Sequence, residues 1–269
     1  MARGRTAALL VADRSGLTAL LQRGYERLQT NGVAGIADLL DPEFEVQTAP
    51  DLPEAGTYRG AEDFGKLVTS LAEPFDEIRL ETGQIVELAE DLFLVPLRIQ
   101  GRGRLSGLPL DTSVIHLWTM RGGKAVRLRV FTSPEQVAGA IVRDAYEAYN
   151  SRGFKAIKAL LDPDVVLYEE PEIPDANVRH GPDGVAQYFQ EGVERWQTFE
   201  LEMDQVVQVT EQVIVVTGVM RGRGSLSGAD VESRFGHIYE LENWRAKRIT
   251  FYFDPEKALE AARSSHGAA

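Results

Sequence analysis

The sequence predicts an α+β fold built twice, head to tail. Three observations carry that reading: a long internal repeat, one order of helices and strands in each copy, and a joint with no linker. GVAGIADLLDP at 32–42 returns as GFKAIKALLDP at 153–163, a shift of about 121 positions. The same shift lays GRGRLSG at 101–107 on GRGSLSG at 222–228, His116 on His237, and Pro134-Glu135 on Pro255-Glu256. A period this long is a duplicated domain rather than a solenoid unit. The halves are expected at 1–136 and 137–269.

Each copy opens on a helix, because Leu17, Leu20, Leu21, Tyr25 and Leu28 fall at helical spacing. Asn31-Gly32 stops it. Ile36, Leu39 and Leu40 mark a second short helix that ends at Asp41-Pro42. Phe44–Thr48 alternates as a strand does, and a third helix follows Gly60 over Glu62–Glu73. Four longer strands are expected at Asp76–Leu88, Leu92–Arg104, Leu110–Arg121 and Lys124–Thr132. Gly122-Gly123 is a two-residue hairpin signal, and Asn243-Trp244 stands at the same place in the second copy. Helices before a meander place helices on one face of a curved antiparallel sheet. From Pro134 a helical pattern runs through Val137, Ile141 and Ala145 to Tyr149. With no Gly/Ser-rich or Pro-rich linker, the copies are expected to pack together.

Composition excludes several functions. The 269-residue chain has 43% hydrophobic and 26% charged residues and no cysteine. That is the profile of a globular domain, and it rules out disulfides, thiol catalysis and cysteine-based metal sites. A net charge of −12 disfavours nucleic acid as a partner. No apolar run is long enough to span a bilayer. The basic N-terminus leads only to the short apolar run Ala7–Ala12, too short for a secretory signal, so a cytoplasmic location is expected. The four histidines show no metal spacing, and no metal or cofactor is expected. The two glycine-rich segments lie between strands, with no helix N-terminus to hold an anion, and read as hairpin connections.

The pattern resembles the NTF2-like superfamily, in particular SnoaL-like polyketide cyclases and ketosteroid isomerases. The carriers are Asn150-Ser151-Arg152-Gly153 at the end of the opening helix, then LLDPDVV at 160–166. Gly181-Pro182-Asp183-Gly184-Val185 before the third helix and HLWTMRGGKAVRLRVF at 116–131 complete the set. The resemblance covers nearly all of both copies. It implies cone-shaped half-barrels with an apolar pocket between sheet and helices. It also implies that the two sheets pack as a pseudo-dimer within one monomer, with room for further oligomerisation. The partner it implies is a small, largely apolar molecule.

The same resemblance implies candidate site residues in the second copy. Glu170, in the acidic-acidic-Pro stretch Glu169-Glu170-Pro171, occupies the place of the isomerases' catalytic aspartate, with Val166, Tyr168 and Glu170 expected on one strand face. Its equivalent in copy one is Ala49. Tyr146 on the opening helix occupies the place of the oxyanion-donating tyrosine, with Tyr25 as its copy-one equivalent. His237 matches a pocket histidine of the cyclases. Tyr168, His237, Arg234, Tyr188, Trp196 and Phe251 are the expected substrate contacts, the aromatics forming walls for a flat apolar ligand. Blander roles compete: a solvated strand-end glutamate, a packing tyrosine and a structural histidine. Two positions depart from the family pattern. Gly236 stands where isomerases place a protonated aspartate, and Phe251 where cyclases place an aspartate on the last strand.

Two functions follow as expectations. The first is a cofactor-independent isomerase, cyclase or lyase doing acid/base chemistry on a small apolar carbonyl compound in the C-terminal half. The other is a non-catalytic small-molecule-binding or assembly module.

Overall fold

In the computed structural model, residues 4–170, 176 and 178–266 are described, with side chains from residue 16 onward; Pro171 of the expected base motif lies outside this set. The chain divides into two compact units after Pro134.

The first unit opens with α1 (Gly4–Asn31). Gly32 ends it at φ 61, a left-handed conformation that favours glycine. The expected second helix is a tight 3₁₀ stretch, Val33–Leu39, that inserts Val33 and Ile36 into the core. Then come β1 (Leu40–Gln47), β2 (Thr57–Arg59) and α2 (Gly60–Ala72). Five further strands follow: β3 (Phe75–Thr82), β4 (Val86–Ala89), β5 (Leu92–Gly103), β6 (Pro109–Arg121) and β7 (Lys124–Phe131). The sheet order is β2-β1-β7-β6-β5-β3, with β4 paired beside β5. One pair, β1 with β7, is parallel, because the long connection through α2 and the meander brings the chain back in the same direction.

The second unit repeats this order with α3 (Pro134–Arg152), two short 3₁₀ turns, β8 (Leu161–Tyr168), β9 (Val178–His180) and α4 (Gly181–Val193). Next are β10 (Trp196–Thr210), β11 (Val213–Gly224), β12 (Asp230–Glu242), β13 (Arg245–Tyr252) and α5 (Pro255–His266). Its sheet order is β10-β11-β12-β13-β8-β9, again with one parallel pair, β8 with β13.

The expected single strand Asp76–Leu88 is continuous only in the second unit. In the first it breaks between β3 and β4, where the Gly83 N–H turns to the Pro96 carbonyl (2.8 Å). The Gly122-Gly123 turn has φ 56 and 79, as a two-residue hairpin requires. Asn243 and Trp244 adopt the same left-handed pair, φ 49 and 66, although neither is glycine.

Each opening helix is pinned to its sheet by an amide side chain at the same repeat position. Gln29 donates to the Ile78 carbonyl (2.8 Å) and accepts from the Leu80 N–H (2.6 Å). Asn150, at the repeat-equivalent position, makes both bonds to Leu201 (2.8 and 3.1 Å). Tyr25 and Tyr146 lie four residues earlier, on the same helix face, and point into the space between helix and sheet. The opposite face of the second sheet is covered by α5, where Ala258 and Ala262 pack with Val213, Val215 and Ile238.

Candidate functional site

The site is built on β12, where alternate residues Phe235, His237 and Tyr239 face the helices. The Tyr146 hydroxyl lies 2.7 Å from His237 Nδ1 and 2.9 Å from the Tyr239 hydroxyl. The imidazole sits between two rings, stacked on Phe235 at 4.3 Å and tilted against Phe251 at 4.0 Å. Its faces are therefore dry and only its edge is free for hydrogen bonds. Among the described residues nothing pairs with Nε2. Burial pushes His237 down to about 3, so it is neutral at any physiological pH. Burial pushes the Tyr146 hydroxyl well above its usual range, with Tyr239 acting in the same direction. These tyrosines act as hydroxyls, not as phenolates.

Two cavities meet at this cluster. The inner one, about 80 Å³, is lined mostly by apolar side chains, with Tyr146, Tyr149, Tyr239, His237 and Trp244 carrying its polar side-chain groups. The outer one, about 270 Å³, adds Glu169, Tyr188, Arg195 and Trp196. His237, Tyr149, Phe189, Leu201 and Phe251 line both. The Tyr188 hydroxyl is hydrogen-bonded to the Glu169 carboxylate. Burial, then the Glu169 charge, hold the Tyr188 proton on well beyond the ordinary range.

Of the residues expected from sequence, Tyr146, His237, Tyr188, Trp196 and Phe251 line these cavities. Glu170, Tyr168 and Arg234 line neither. Glu170 is 7% exposed, accepts from the Phe253 N–H (3.2 Å) and pairs with Lys257 (3.3 Å), tying the end of β8 to the start of α5. Tyr168 lies on the other face of β8, under the Arg248 guanidinium at 4.2 Å. Arg234 is exposed and pairs with Asp204 (3.1 Å). The physical reason is the twofold alternation of a strand: Val165 and Leu167 are the fully buried residues of β8, so the next inward position is Glu169, one residue from the expected acid. Gly236 also lies on the outer face. A Cβ there would come within 2.5 Å of Ala258, so packing against α5 demands glycine.

Sequence reasoning missed Glu169, Tyr239 and Tyr149 as lining residues. Tyr239 carried a signal, since it stands two residues after His237 on one strand and so shares its face. The described residues contain no cluster of three or more histidine or acidic side chains suited to a metal. None of their helices is long and apolar enough to cross a membrane.

The first unit holds the same pair: the Tyr25 hydroxyl lies 2.7 Å from His116 Nδ1. Trp118 replaces Tyr239 and donates its indole N–H to Tyr25 (2.8 Å). The cavity beside them is about 30 Å³, and His116 does not line it.

The SnoaL-like domain family matches residues 21–128 and, separately, 142–250. No curated protein matches the chain. Among solved structures, an NTF2-like protein of unknown function from Burkholderia pseudomallei K96243 is similar at 25% identity. That alignment covers 48% of this chain and 96% of that one, with a TM-score of 0.39. A putative polyketide cyclase from Xanthomonas campestris pv. campestris is 17% identical, covering 48% and 99%, with a TM-score of 0.38. A protein with a ketosteroid isomerase-like fold from Catenulispora acidiphila DSM 44928, solved with trimethylamine, is 12% identical. It covers 41% and 83%, with a TM-score of 0.37.

Proposed function

We propose, for a chain that belongs to the SnoaL-like domain family in both of its halves, that the C-terminal half binds a small, flat, largely apolar carbonyl compound and moves a proton on it without a cofactor. The observation that carries this reading is the joint lining of the outer cavity by Glu169 and His237. A carboxylate and a neutral imidazole thus face one apolar space.

In this reading the ligand carbonyl accepts from His237 Nε2–H, which is available when Tyr146 donates to Nδ1. Glu169 takes the proton from the carbon beside the carbonyl. The electron pair of that C–H bond forms the C=C bond, and the carbonyl π pair moves to the oxygen. A neutral imidazole can donate a hydrogen bond to a developing enolate, and because its N–H is a weaker acid than a phenol the proton stays on the ring at rest. Return of the proton to a different carbon gives an isomer; attack by the enolate carbon on a second carbonyl closes a ring. Tyr146 supports the donor, and Tyr188 orients the acid. Phe251, Trp196, Phe189 and Phe235 form the walls that a flat ligand needs.

The test is deuterium exchange at the carbon beside the carbonyl of 1-indanone in D2O, followed by NMR with the full chain. Glu169→Gln should lower the protein-dependent exchange rate by about 10²–10⁴, the usual worth of a positioned acid/base. Glu170→Gln should leave it within about threefold, since that carboxylate faces Lys257. Equal losses in both variants would sink the assignment to Glu169. Saturable binding with no protein-dependent exchange would assign the chamber to ligand carriage instead.

A further inference from the structure

The two units differ in one atom of chemistry at the end of the same hydrogen-bond chain. In the first unit Trp118 can only donate. Its N–H occupies the Tyr25 oxygen, so the one satisfied arrangement sends the Tyr25 proton to His116 Nδ1. The opposite direction would leave the Tyr25 hydrogen buried with no acceptor. His116 is thereby held as the Nε2–H tautomer.

In the second unit Tyr239 both donates and accepts. The chain can run Tyr239 to Tyr146 to His237 Nδ1, leaving Nε2–H toward the cavity. It can equally run from His237 Nδ1–H to Tyr146 to Tyr239, leaving Nε2 as an acceptor and the Tyr239 hydrogen toward the inner cavity. Both directions make two hydrogen bonds and leave one hydrogen facing the chamber. No hydrogen bond in the described residues breaks the tie: the partners of His237 above and below are phenyl rings, and the hydrogen bond at its edge goes to Tyr146.

We infer that Tyr239 makes this relay reversible, so that the chamber accepts a ligand oxygen either as carbonyl or as hydroxyl, and that its substrate class is an apolar compound interconverting between keto and enol forms at that oxygen. This rests on the proposed reading of the chamber as a ligand site. The chemistry balances with neutral groups throughout. When the ligand presents C=O, Nε2–H donates. When it presents O–H, Nε2 accepts: the Tyr146 and Tyr239 hydroxyls turn toward their other neighbours, and His237 has given its Nε2 proton to water and taken one at Nδ1 from water before the ligand binds, so the proton count is unchanged. A keto and an enol form are thus held at one place without an ionised tyrosine. Tyr239 is a specificity-determining residue of the site, acting through Tyr146 and His237.

The full chain with ¹⁵N-labelled histidine reports the tautomers directly in long-range ¹H–¹⁵N spectra at pH 7.5. Without ligand, His116 should show the Nε2–H form alone and His237 a shift averaged between both forms. Adding 1-indanone should move His237 to Nε2–H, and adding 4-indanol should move it to Nδ1–H. Tyr239→Phe keeps the volume but removes the acceptor that the reverse direction needs. It should weaken 4-indanol about tenfold and 1-indanone less than about twofold by calorimetry. A single His237 tautomer in the free chain and with both probes would overturn the inference. So would equal weakening of both probes in Tyr239→Phe. If neither probe binds, the ligand-site reading fails, while the ligand-free spectra still decide whether the relay is reversible.

Discussion

The two halves keep the same tyrosine–histidine pair and differ in what surrounds it. In the first, Phe44, Phe64 and Trp118 fill the floor: Phe44 stacks on Trp118 at 6.0 Å and meets Phe64 edge-on at 5.5 Å. Their equivalents in the second are Val165, Val185 and Tyr239, of which Val185 and Tyr239 border the inner chamber. Around the histidine the trade is reversed. Val114 and Val130 in the first half become Phe235 and Phe251 in the second, where they clamp the ring. Aromatic volume has moved from the floor to the histidine's flanks. A shared fold therefore yields a close-packed core in one copy and a chamber in the other, through the placement of a few rings.

Acid should separate the halves most. Burial pushes His116 down to about 4 and His237 down to about 3, against an ordinary value near 6.5. Both folded values are depressed, so the unfolded chain binds more protons below about pH 6.5. The stability tied to neutral histidine is fully present above that pH. It is lost as pH falls towards about 4 for the N-terminal half and about 3 for the C-terminal half. The full loss is of order 3 kcal/mol for the first and 5 for the second. Urea unfolding at pH 7.5, 5.5, 4.5 and 3 checks this, the two halves diverging only below about pH 4, with His116→Gln and His237→Gln each flattening the dependence of its own half. A stability independent of pH over this window would contradict the buried, neutral imidazoles.

Emptying the floor should be costly in one half and mild in the other. Phe44 is fully buried, and Phe44→Ala should destabilise the N-terminal half by about 3–5 kcal/mol. Val185→Ala, at the position equivalent to Phe64, should cost only about 1–2 kcal/mol, since fewer methyl groups are lost and Val185 already borders the inner cavity. Equal costs, measured by urea denaturation, would mean that the chamber is as tightly packed as its counterpart.

The ion pair of Glu170 has no equivalent at Ala49. Glu170→Gln should lower the stability of the C-terminal half by about 1–3 kcal/mol, because Lys257 and the Phe253 N–H lose the charged acceptor they share. Lys257→Met should give a loss of the same sign, since it leaves the carboxylate buried without its cation. No loss in either would show the pair to be incidental.

The smallest effect concerns the hairpins. Asn243→Gly should stabilise the second half by about 0.5–1 kcal/mol, because the left-handed backbone there costs a non-glycine residue energy. Trp244→Gly should not stabilise to the same extent. Trp244 lines the inner cavity, and its removal forfeits that packing. A matching gain in melting temperature from both would show that the indole contributes nothing to the chamber wall.

Much of this was legible in the residues. The constant repeat offset specifies two copies without reference to any structure, because every matched glycine and proline implies the same backbone requirement twice. Gly32 and Gly153, Gly107 and Gly228, and the Gly122-Gly123 turn all have the left-handed φ that their residue type suggests. The helical stripe from Leu17 to Leu28 and the strand alternation on β6 and β12 likewise follow from local periodicity.

Local pattern failed where both faces of a strand are apolar. VVLY at 165–168 reads equally well in either register, since Val166 and Tyr168 are covered from outside the core as Val165 and Leu167 are from within. Only the sheet, by pairing β8 with β13 and packing Leu167 under α4, chooses the inward face and so turns Glu169 rather than Glu170 toward the chamber. The same holds for volume. Nothing in the composition of either copy says that Phe44, Phe64 and Trp118 meet in space, or that Val185 and Tyr239 border a cavity. Those residues lie far apart along the chain, and whether they fill or vacate a cavity is a property of three elements brought together. The duplication and its element order were thus determined by sequence alone, through short-range periodicity and turn chemistry. Which acid faces the chamber, which copy has one, and which way a hydrogen-bond chain can run were decided only by tertiary packing, because each depends on contacts between residues remote in sequence.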